Sequence, residues 1–138
     1  MDPDNSVVKL CVEGMEQESK GNHEAASRLF QFAWEQSSDD FERCIAAHYV
    51  ARHQSPDGAL VWNQRSLDLA RAVNDERVRG FFPSLYLNMG KAYEELGNLK
   101  DARQFYAMTE EVLNSLPDNQ YGRNLRDAAQ RALKRVWR

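Results

Sequence analysis

Residues 86–106 read YLNMGKAYEELGNLKDARQFY, and a similar pattern occurs at residues 10–30, LCVEGMEQESKGNHEAASRLF. In both stretches two glycines lie seven residues apart, an alanine follows the second glycine by five residues, and an aromatic residue follows that alanine by four. Apolar residues recur every three or four positions on both sides of the second glycine, as in two amphipathic helices joined by a turn. The chain therefore contains an internal repeat of a helix–turn–helix unit.

A degenerate copy of the unit lies between these two. Ala47 stands at the position of the first glycine. Ala59 stands at the position of the alanine that follows the second glycine by five residues, which we call the marker alanine. Residues 55–58 read SPDG, a turn sequence that also suits the start of a helix. Ser55 can act as the N-cap, and Pro56 fits the first helical position because the N–H group that proline lacks would have no partner there. The sequence therefore predicts three consecutive units.

The middle unit is longer than its neighbours. The marker alanines Ala26, Ala59 and Ala102 lie 33 and then 43 residues apart, which leaves about nine extra residues if the repeat is about 34 residues long. The extra residues fall near positions 71–80. We expect them to extend the second helix of the middle unit, and we expect Gly80 to adopt the backbone conformation that ends or redirects it.

The repeat resembles the tetratricopeptide repeat, a helix–turn–helix unit of about 34 residues. The resemblance covers about residues 7–116 and is closest in the third copy, where the pattern positions hold Tyr86, Met89, Gly90, Tyr93, Ala102 and Tyr106. It implies a single all-α domain over residues 1–138, a right-handed superhelix of three units at about 7–40, 41–80 and 81–116 with a capping helix at about 121–137.

The apolar periodicity and the turn residues predict where the helices lie. Gly14 and Gly90 lack a Cβ atom, so we expect a partner helix to approach closely there, with Ala26 and Ala102 as the facing residues. A single unit cannot bury its apolar face alone, so the three units should stack and the last helix should cover the end. Seven helices are predicted, at about residues 6–20, 23–37, 40–53, 56–76, 81–96, 99–115 and 121–137.

The composition is that of an ordinary globular domain. The chain has 138 residues, of which 42% are hydrophobic and 28% charged, enough for one domain with an apolar core. The first residues, MDPDN, lack the basic region and apolar run of a secretory signal, and no stretch approaches the roughly 18 apolar residues of a membrane span. With two cysteines and no CxxC pair, we expect a reduced, cytoplasmic protein without membrane contact.

The charge is unevenly distributed along the chain. The net charge of −3 argues against a generally basic nucleic-acid-binding protein. Residues 121–138, however, contain six basic residues and one acidic residue. A capping helix must be polar on its outer face, so we interpret the basic residues as that solvated face. The alternative is contact with phosphate or RNA, for which Trp137 is a candidate stacking residue.

The sequence lacks the motifs of catalysis and of metal binding. It contains no GxxxxGK[ST] and no HExxH. His48 and His53 are five residues apart, off a common helix face, and no further ligand lies nearby. Cys11 and Cys44 are interpreted as small buried side chains. The alternative, a reactive thiol at Cys44 beside His48, lacks the third group of a catalytic set. We therefore expect no enzyme activity, no catalytic residue, no metal and no cofactor.

Polar residues at helical spacing form the candidate binding site. His48 and Arg52 are four residues apart in the third helix, and Ser84, Asn88 and Lys91 follow one face of the fifth. In tetratricopeptide proteins the first helices of successive units line a concave, peptide-binding face. The groove positions that the resemblance implies here are Val8, Cys11, Met15, Phe41, Cys44, His48, Arg52, Ser84, Asn88 and Lys91.

Trp62 and Asn63, on the second helix of the middle unit, complete the candidate site. Asn63 replaces a packing aromatic of the family pattern, so we expect a half-buried polar group that needs a hydrogen-bond partner. Some tetratricopeptide domains hold a carboxylate terminus in a clamp of Lys, Asn and Arg, but only Asn88 is compatible with that clamp here. The alternative for the whole set is an ordinary solvated helix face.

The charges of the candidate site favour an acidic ligand. Arg52 and Lys91 are fixed positive charges, and His48 would titrate near neutral pH. Three glutamates near the groove rim oppose this preference: Glu18, Glu94 and Glu95.

These features together predict a non-enzymatic scaffold that binds a protein or peptide segment, preferably an acidic one, in a concave groove. A second hypothesis is self-association through the repeat surface or an end helix, which would give a structural homo-oligomer. Less favoured is an RNA-associated factor or an enzyme that uses the polar groove.

Overall fold

Eight α-helices make up most of residues 2–137. The computed structural model describes residues 2–137, and no β-strand occurs among them. The helices are α1 (Ser6–Ser19), α2 (His23–Gln36), α3 (Asp40–Val50), α4 (Pro56–Val73), α5 (Glu76–Arg79), α6 (Phe82–Glu95), α7 (Leu99–Leu113) and α8 (Gln120–Val136), and a 3-10 turn, Ala51–His53, continues α3. The expected all-α fold is confirmed, with one short helix more than the seven predicted.

Short polar side chains fix where most of the helices begin. The Asn5 side chain accepts hydrogen bonds from the N–H groups of Val7 and Val8. Ser55 accepts from the N–H group of Gly58, as expected for the N-cap of α4. Side-chain caps of the same kind begin four other helices, at Asp39, Asp75, Asn98 and Asn119.

Each long helix packs against the next long helix along the chain. The closest pairs are α1 with α2, α3 with α4 and α6 with α7, and they coincide with the three copies of the sequence repeat. Gly21 and Gly97 lie in the turns within the first and third pairs, both with a φ of 81°, which other residues rarely adopt. Helix α4 packs on α6, and α7 packs on α8. The pairs therefore lie side by side, with α8 after the last.

The two repeat glycines make room for an aromatic ring. A Cβ atom at Gly90 would lie 2.6 Å from the ring of Tyr106, and a Cβ atom at Gly14 would overlap the ring of Phe30. Both rings are fully buried. The predicted close approach is present, but the nearest side chain is the aromatic residue and not the alanine four residues before it. The aromatic ring reaches the gap because it is large enough to span the space between the paired helices.

The extra residues of the middle unit form a separate short helix. Helix α4 ends at Val73, and Asn74 has φ and ψ of 47° and 45°, a left-handed conformation that ends a helix. Asp75 then caps α5, whose Val78 is fully buried. The prediction that α4 continues to residue 76 is wrong because Asn74 stops it. Gly80 has an ordinary helical φ of −71° and does not redirect the chain.

Helix α8 covers the exposed side of the third pair. Ala129, Ala132 and Val136, from the apolar stripe of this helix, are buried. Ala132 and Val136 pack with Ala102 and Tyr106 of α7 in a small core separate from the main one. The helix therefore closes the end of the stack with its apolar side and leaves its basic side in solvent.

Polar contacts reinforce the attachment of α8. The Tyr106 hydroxyl donates to Glu94 Oε1 at 2.7 Å, and Arg135 of α8 donates to both oxygens of Glu94 at 3.0 and 3.1 Å. The Arg135 hydrogen bonds hold the pKa of Glu94 below its usual value. Arg103 donates to the carbonyl of the last residue of α8 at 2.9 Å and lies 4.8 Å over the ring of Trp137. Helix α8 is thus tied to both α6 and α7.

Candidate binding groove

Six of the nine predicted site residues line one cavity. The cavity has a volume of about 610 Å³ and lies between α3, α4 and α6, with one residue each from α1 and α8. A cavity of this size suits a small molecule or a few side chains of a peptide. The predicted residues that line it are His48, Arg52, Asn63, Ser84, Asn88 and Lys91.

His48 and Asn88 connect α3 with α6 across the cavity. The His48 Nδ1 lies 3.5 Å from the Asn88 amide nitrogen, which can donate to a neutral ring. The ring also meets Tyr49 and Phe81 edge-on, with centroids 5.1 and 6.1 Å apart. Burial, with the charge of Arg52 as a second cause, lowers the pKa of His48 to about 4. His48 is therefore neutral at pH 7, and the expectation that it titrates near neutral pH is wrong.

Glu18 of α1 pairs with Arg52 at the rim of the cavity. The Glu18 carboxylate lies 3.0 Å from the Arg52 guanidinium and 2.7 Å from His53 Nε2. The same guanidinium lies 5.5 Å from the ring centroid of Tyr49. One of the two cations expected to attract a ligand is therefore already in an ion pair within the chain.

Lys91 of α6 is the other positive charge of the groove. Its side chain is exposed, and it forms no ion pair with the part of the chain that the structure describes. Glu94, expected beside it at the rim, pairs with Arg135 instead. Lys91 is therefore available to a ligand.

The charges that line the cavity balance. Arg52 and Lys91 are offset by Glu18 and Glu95, two positive against two negative charges. His48 adds none at pH 7. The electrostatic argument for an acidic ligand is weakened accordingly.

Asn63, one of the lining residues, carries a polar atom that is buried and unpaired. Its side chain is 4% exposed, and its Oδ1 has no hydrogen-bond partner among residues 2–137. The sequence predicted a polar group in need of a partner at this position, and the burial is deeper than expected. Ser84 differs, because its hydroxyl donates to the carbonyl of Phe81 at 3.1 Å. The amide oxygen of Asn63 is therefore an unpaired polar atom in the protein interior, beside the cavity and not on its accessible surface.

Three predicted site residues, Met15, Phe41 and Trp62, lie outside the cavity. Phe41 is 9% exposed and lies beneath the Arg77 guanidinium, 4.7 Å from its ring centroid. Trp62 meets Trp34 edge-on at 4.9 Å, and Met15 packs at the edge of the main core. These residues belong to surfaces between helices and not to the groove, because the faces that carry them turn toward neighbouring helices.

Three further groove positions implied by the resemblance are core residues. Val8, Cys11 and Cys44 are all less than 5% exposed. The Cys44 Sγ lies 3.6 Å from the hydroxyl of Ser66, which donates to the Cys44 carbonyl at 2.8 Å. Burial raises the pKa of Cys11 to about 12 and also raises the pKa of Cys44. The cysteines are buried as expected, and a protonated, buried thiol is a poor nucleophile.

The cavity also includes residues that the sequence did not single out. Leu125 of α8 lines it, although its spacing from Ala129 and Ala132 places it on the apolar stripe that covers α7. Leu125 is the first residue of that stripe and lies one turn before Ala129, the first buried residue of α8. Its position at the start of the stripe could have indicated an environment different from that of the later stripe residues. Ala59, the marker alanine of the degenerate copy, also lines the cavity and is only half-buried.

Comparison with known proteins adds no assignment. Neither a scan against protein-family models nor a search of curated proteins found a match to this chain. Within residues 2–137, no group of three or more His, Cys, Asp or Glu side chains is placed to hold a metal ion. None of the described helices combines the length and the apolar character that crossing a bilayer requires. Function must therefore be argued from the groove itself.

Proposed function

We propose that the chain is a non-enzymatic scaffold of the tetratricopeptide type that binds a protein or peptide segment in its groove. The fold would be a right-handed superhelix of three units with α8 as the cap. The observation that carries the proposal is the convergence of six polar residues, predicted from separate parts of the sequence, on one cavity. The order of the helix pairs and the matched packing at Gly14 and Gly90 support the repeat assignment.

The spacing of the groove residues suits an extended polypeptide. Asn88, Lys91 and Glu95 follow one face of α6, about 5 Å apart along the helix axis for each turn. Alternate side chains of an extended chain lie about 6.6–6.8 Å apart, a similar interval. A segment lying along α6 could therefore place successive side chains or carbonyl groups opposite these residues.

The groove is better arranged for binding than for catalysis. The Ser84 hydroxyl donates to a backbone carbonyl, and His48 Nδ1 faces an amide nitrogen and not a hydroxyl. Both cysteines lie outside the cavity lining. The lining residues thus contain no nucleophile in contact with a base, the arrangement on which covalent catalysis depends.

A capture experiment tests the proposal. The full chain is immobilised, proteins bound from a lysate are quantified by mass spectrometry, and direct binding of the best candidate is measured by calorimetry. The double variant Asn88→Ala/Lys91→Ala should lose the partner. The matched control Lys100→Ala/Gln104→Ala changes two exposed residues of α7 and should retain it. A partner that binds all three proteins equally, with the fold checked by circular dichroism, would contradict groove binding.

Self-association is a second candidate because α1 has an apolar recess on its outer side. Pro3, Val8 and Val12 line the recess together with Lys9 and Glu13, and Val12 is 41% exposed. Sedimentation velocity over a wide concentration range tests this candidate. A dimer that Val12→Lys dissociates supports it, and a monomer at the highest concentration rejects it.

The basic face of α8 gives little support to the RNA alternative. Arg123 and Arg135 form ion pairs within the chain, and Trp137 is covered on one face by Arg103. Arg138, which contributes to the predicted positive charge, lies outside the described residues. Fewer unpaired charges therefore remain for phosphate contacts than the sequence suggested, and one face of the Trp137 ring is already occupied.

A further inference from the structure

The amide nitrogen of Asn63 is the polar atom that this residue presents to the cavity. Asn63 lines the cavity and is only 4% exposed. Its Oδ1 is buried in the interior, whereas its Nδ2 keeps accessible surface and donates to no acceptor among residues 2–137. An amide nitrogen can only donate hydrogen bonds. The nearly buried side chain of Asn63 therefore offers the cavity a donor in a fixed position.

Asn88 presents the opposite end of its amide group. Its nitrogen lies 3.5 Å from Nδ1 of the neutral His48 ring and can donate to it. This contact leaves Asn88 Oδ1 as an acceptor, and that oxygen is neither buried nor paired with a donor in the described part of the chain. Asn88 lies on α6, which packs on the helix of Asn63, α4. The two helices thus supply one free donor and one free acceptor to the same cavity.

The charged residues of the lining favour neither sign of ligand. Glu18 and Arg52 already pair with each other at 3.0 Å. Lys91 and Glu95 are exposed, carry opposite charges and lie four residues apart on α6. A charged ligand side chain would meet one attractive and one repulsive group there. The charges therefore give a ligand side chain little selectivity.

The apolar part of the lining consists mainly of small side chains. Ala51, Ala59 and Ala92 line the cavity, and Leu87 and Leu125 are its only larger apolar residues within 2–137. The histidine ring apart, no aromatic side chain lines it in the same residues. Partner side chains are usually anchored by aromatic or large apolar residues in a well-packed pocket. The alanines instead leave room for the main chain of a ligand to come close to the helices.

We propose that the groove recognises the main chain of the bound segment, through one peptide group that accepts from Asn63 Nδ2 and donates to Asn88 Oδ1. A peptide group has one carbonyl acceptor, one N–H donor and no charge, which matches the free donor, the free acceptor and the balanced charges of the lining. In a trans peptide group the C=O and the N–H point in opposite directions, so the two contacts suit residues on different helices. The proposal rests on the proposed function, because it names the part of the segment that the groove recognises.

The test compares changes in the main chain of a peptide with changes in its side chains. The parent probe is acetyl-Thr-Val-Thr-Val-Thr-N-methylamide, and three further probes replace its central threonine with glutamate, lysine or leucine. A fifth probe keeps the parent side chains but has ester bonds between the residues, so that oxygen replaces each N–H. Binding to the full chain is followed by nitrogen–proton correlation spectra, in which the side-chain amide signals of both asparagines are observed directly.

The four peptides should bind within about threefold of one another. The ester probe should bind about two- to tenfold more weakly than the parent, the range that one neutral hydrogen bond gives. The side-chain amide signal of Asn63 should shift with the peptides, because its nitrogen gains an acceptor.

Variants of the two asparagines assign the main-chain preference to them. Asn63→Leu removes the donor at similar volume, Asn63→Ala removes it without adding apolar volume, and Asn88→Ala removes the acceptor. Each should bring the parent peptide closer to the ester probe, and Asn63→Ala/Asn88→Ala should bind both equally. Gln64→Leu is the matched control, because Gln64 follows Asn63 in α4 but bonds to Asp68 and lies outside the cavity lining. It should keep the preference for the peptide.

The outcomes separate this inference from the groove proposal. An ester probe that shifts the groove resonances and binds as tightly as the parent overturns main-chain recognition alone. A preference among the central residues that exceeds the difference between peptide and ester overturns it too, as does a peptide preference that persists in the double variant. If no probe shifts any resonance of the groove, the peptide-binding function itself is contradicted, and this inference falls with it.

Discussion

The ring of Tyr106 fills the space that a side chain at Gly90 would need, while its hydroxyl is held by Glu94, one turn after that glycine. The ring is fully buried and fixed at its polar end, so it cannot move aside for a new Cβ atom 2.6 Å away. We therefore expect Gly90→Ala to destabilise the protein by about 1–3 kcal/mol, as overpacking typically does. The cost of overpacking should exceed the roughly 1 kcal/mol by which alanine is more favourable than glycine within a helix. Urea unfolding measures the difference.

Gly80→Ala is the control for this substitution. No atom lies within 4 Å of a Cβ at Gly80, and its φ of −71° suits any residue. The variant should be as stable as wild type or slightly more stable. Equal effects at both glycines would mean that the contact with Tyr106 is unimportant.

Removing Glu94 should cost more than removing Arg135. Arg135→Ala breaks an ion pair whose arginine is 52% exposed, a loss of about 0–1 kcal/mol. Glu94→Ala also leaves the Tyr106 hydroxyl without its partner, which adds about 1–3 kcal/mol. Thermal unfolding of both variants checks the order. Adding Tyr106→Phe to Glu94→Ala should recover part of the loss, and a larger effect of Arg135→Ala would contradict this account.

The lowered pKa of His48 in the groove should make the stability of the protein depend on pH. At pH 7 His48 is neutral in the folded chain and mostly neutral in the unfolded chain, where its pKa has the ordinary value of 6.5. As the pH falls below 6.5, the unfolded chain binds a proton that the folded chain does not bind until about pH 4. Stability is therefore lost across this window as the pH falls, by no more than about 1.4 kcal/mol per pH unit. Urea unfolding of wild type and of His48→Gln at several pH values between neutral and about 5 measures the difference. If the free energies of unfolding of the two proteins changed with pH in parallel, the conclusion that His48 is neutral in the folded protein would be contradicted.

Asn74 should tolerate glycine better than a β-branched residue. Its positive φ of 47° costs a bulky side chain about 1–2 kcal/mol, so Asn74→Val should lower the melting temperature and Asn74→Gly should keep or raise it. Asn114, the residue after α7, is the control because its φ of −64° is helical. At that position glycine should bring no advantage over valine.

The repeat and the long helices were predictable because they depend on local sequence. Glycine spacing, N-caps and a three-to-four-residue apolar period place each long helix within a few residues of its observed ends. The same periodicity placed Ser84, Asn88 and Lys91 on one face of α6, and all three line the cavity.

The remaining features depend on contacts between helices. Two residues, Asn74 and Gly80, could each have ended α4; the helix ends at Asn74, and the short helix that follows buries Val78. Cys11 and Cys44 were placed in the groove by alignment to a family, although their small apolar side chains fit the core better. The position of Leu125 at the cavity depends on the angle at which α8 packs across α6 and α7.

Trp34 of α2 and Trp62 of α4 meet edge-on with ring centroids 4.9 Å apart, where the first two units adjoin. At this distance the two indoles should couple electronically and give a circular dichroism signal that disappears when the units separate. Trp137, 70% exposed at the other end of the chain, contributes fluorescence of a solvated indole. The Trp34–Trp62 pair is thus an optical reporter of the contact between the first two units, whereas Trp137 is already solvated in the folded protein. Loss of the Trp34–Trp62 signal at the urea concentration at which the helical signal is lost would mean that the stack unfolds as a whole, and loss at a lower concentration would mean that the first two units separate first.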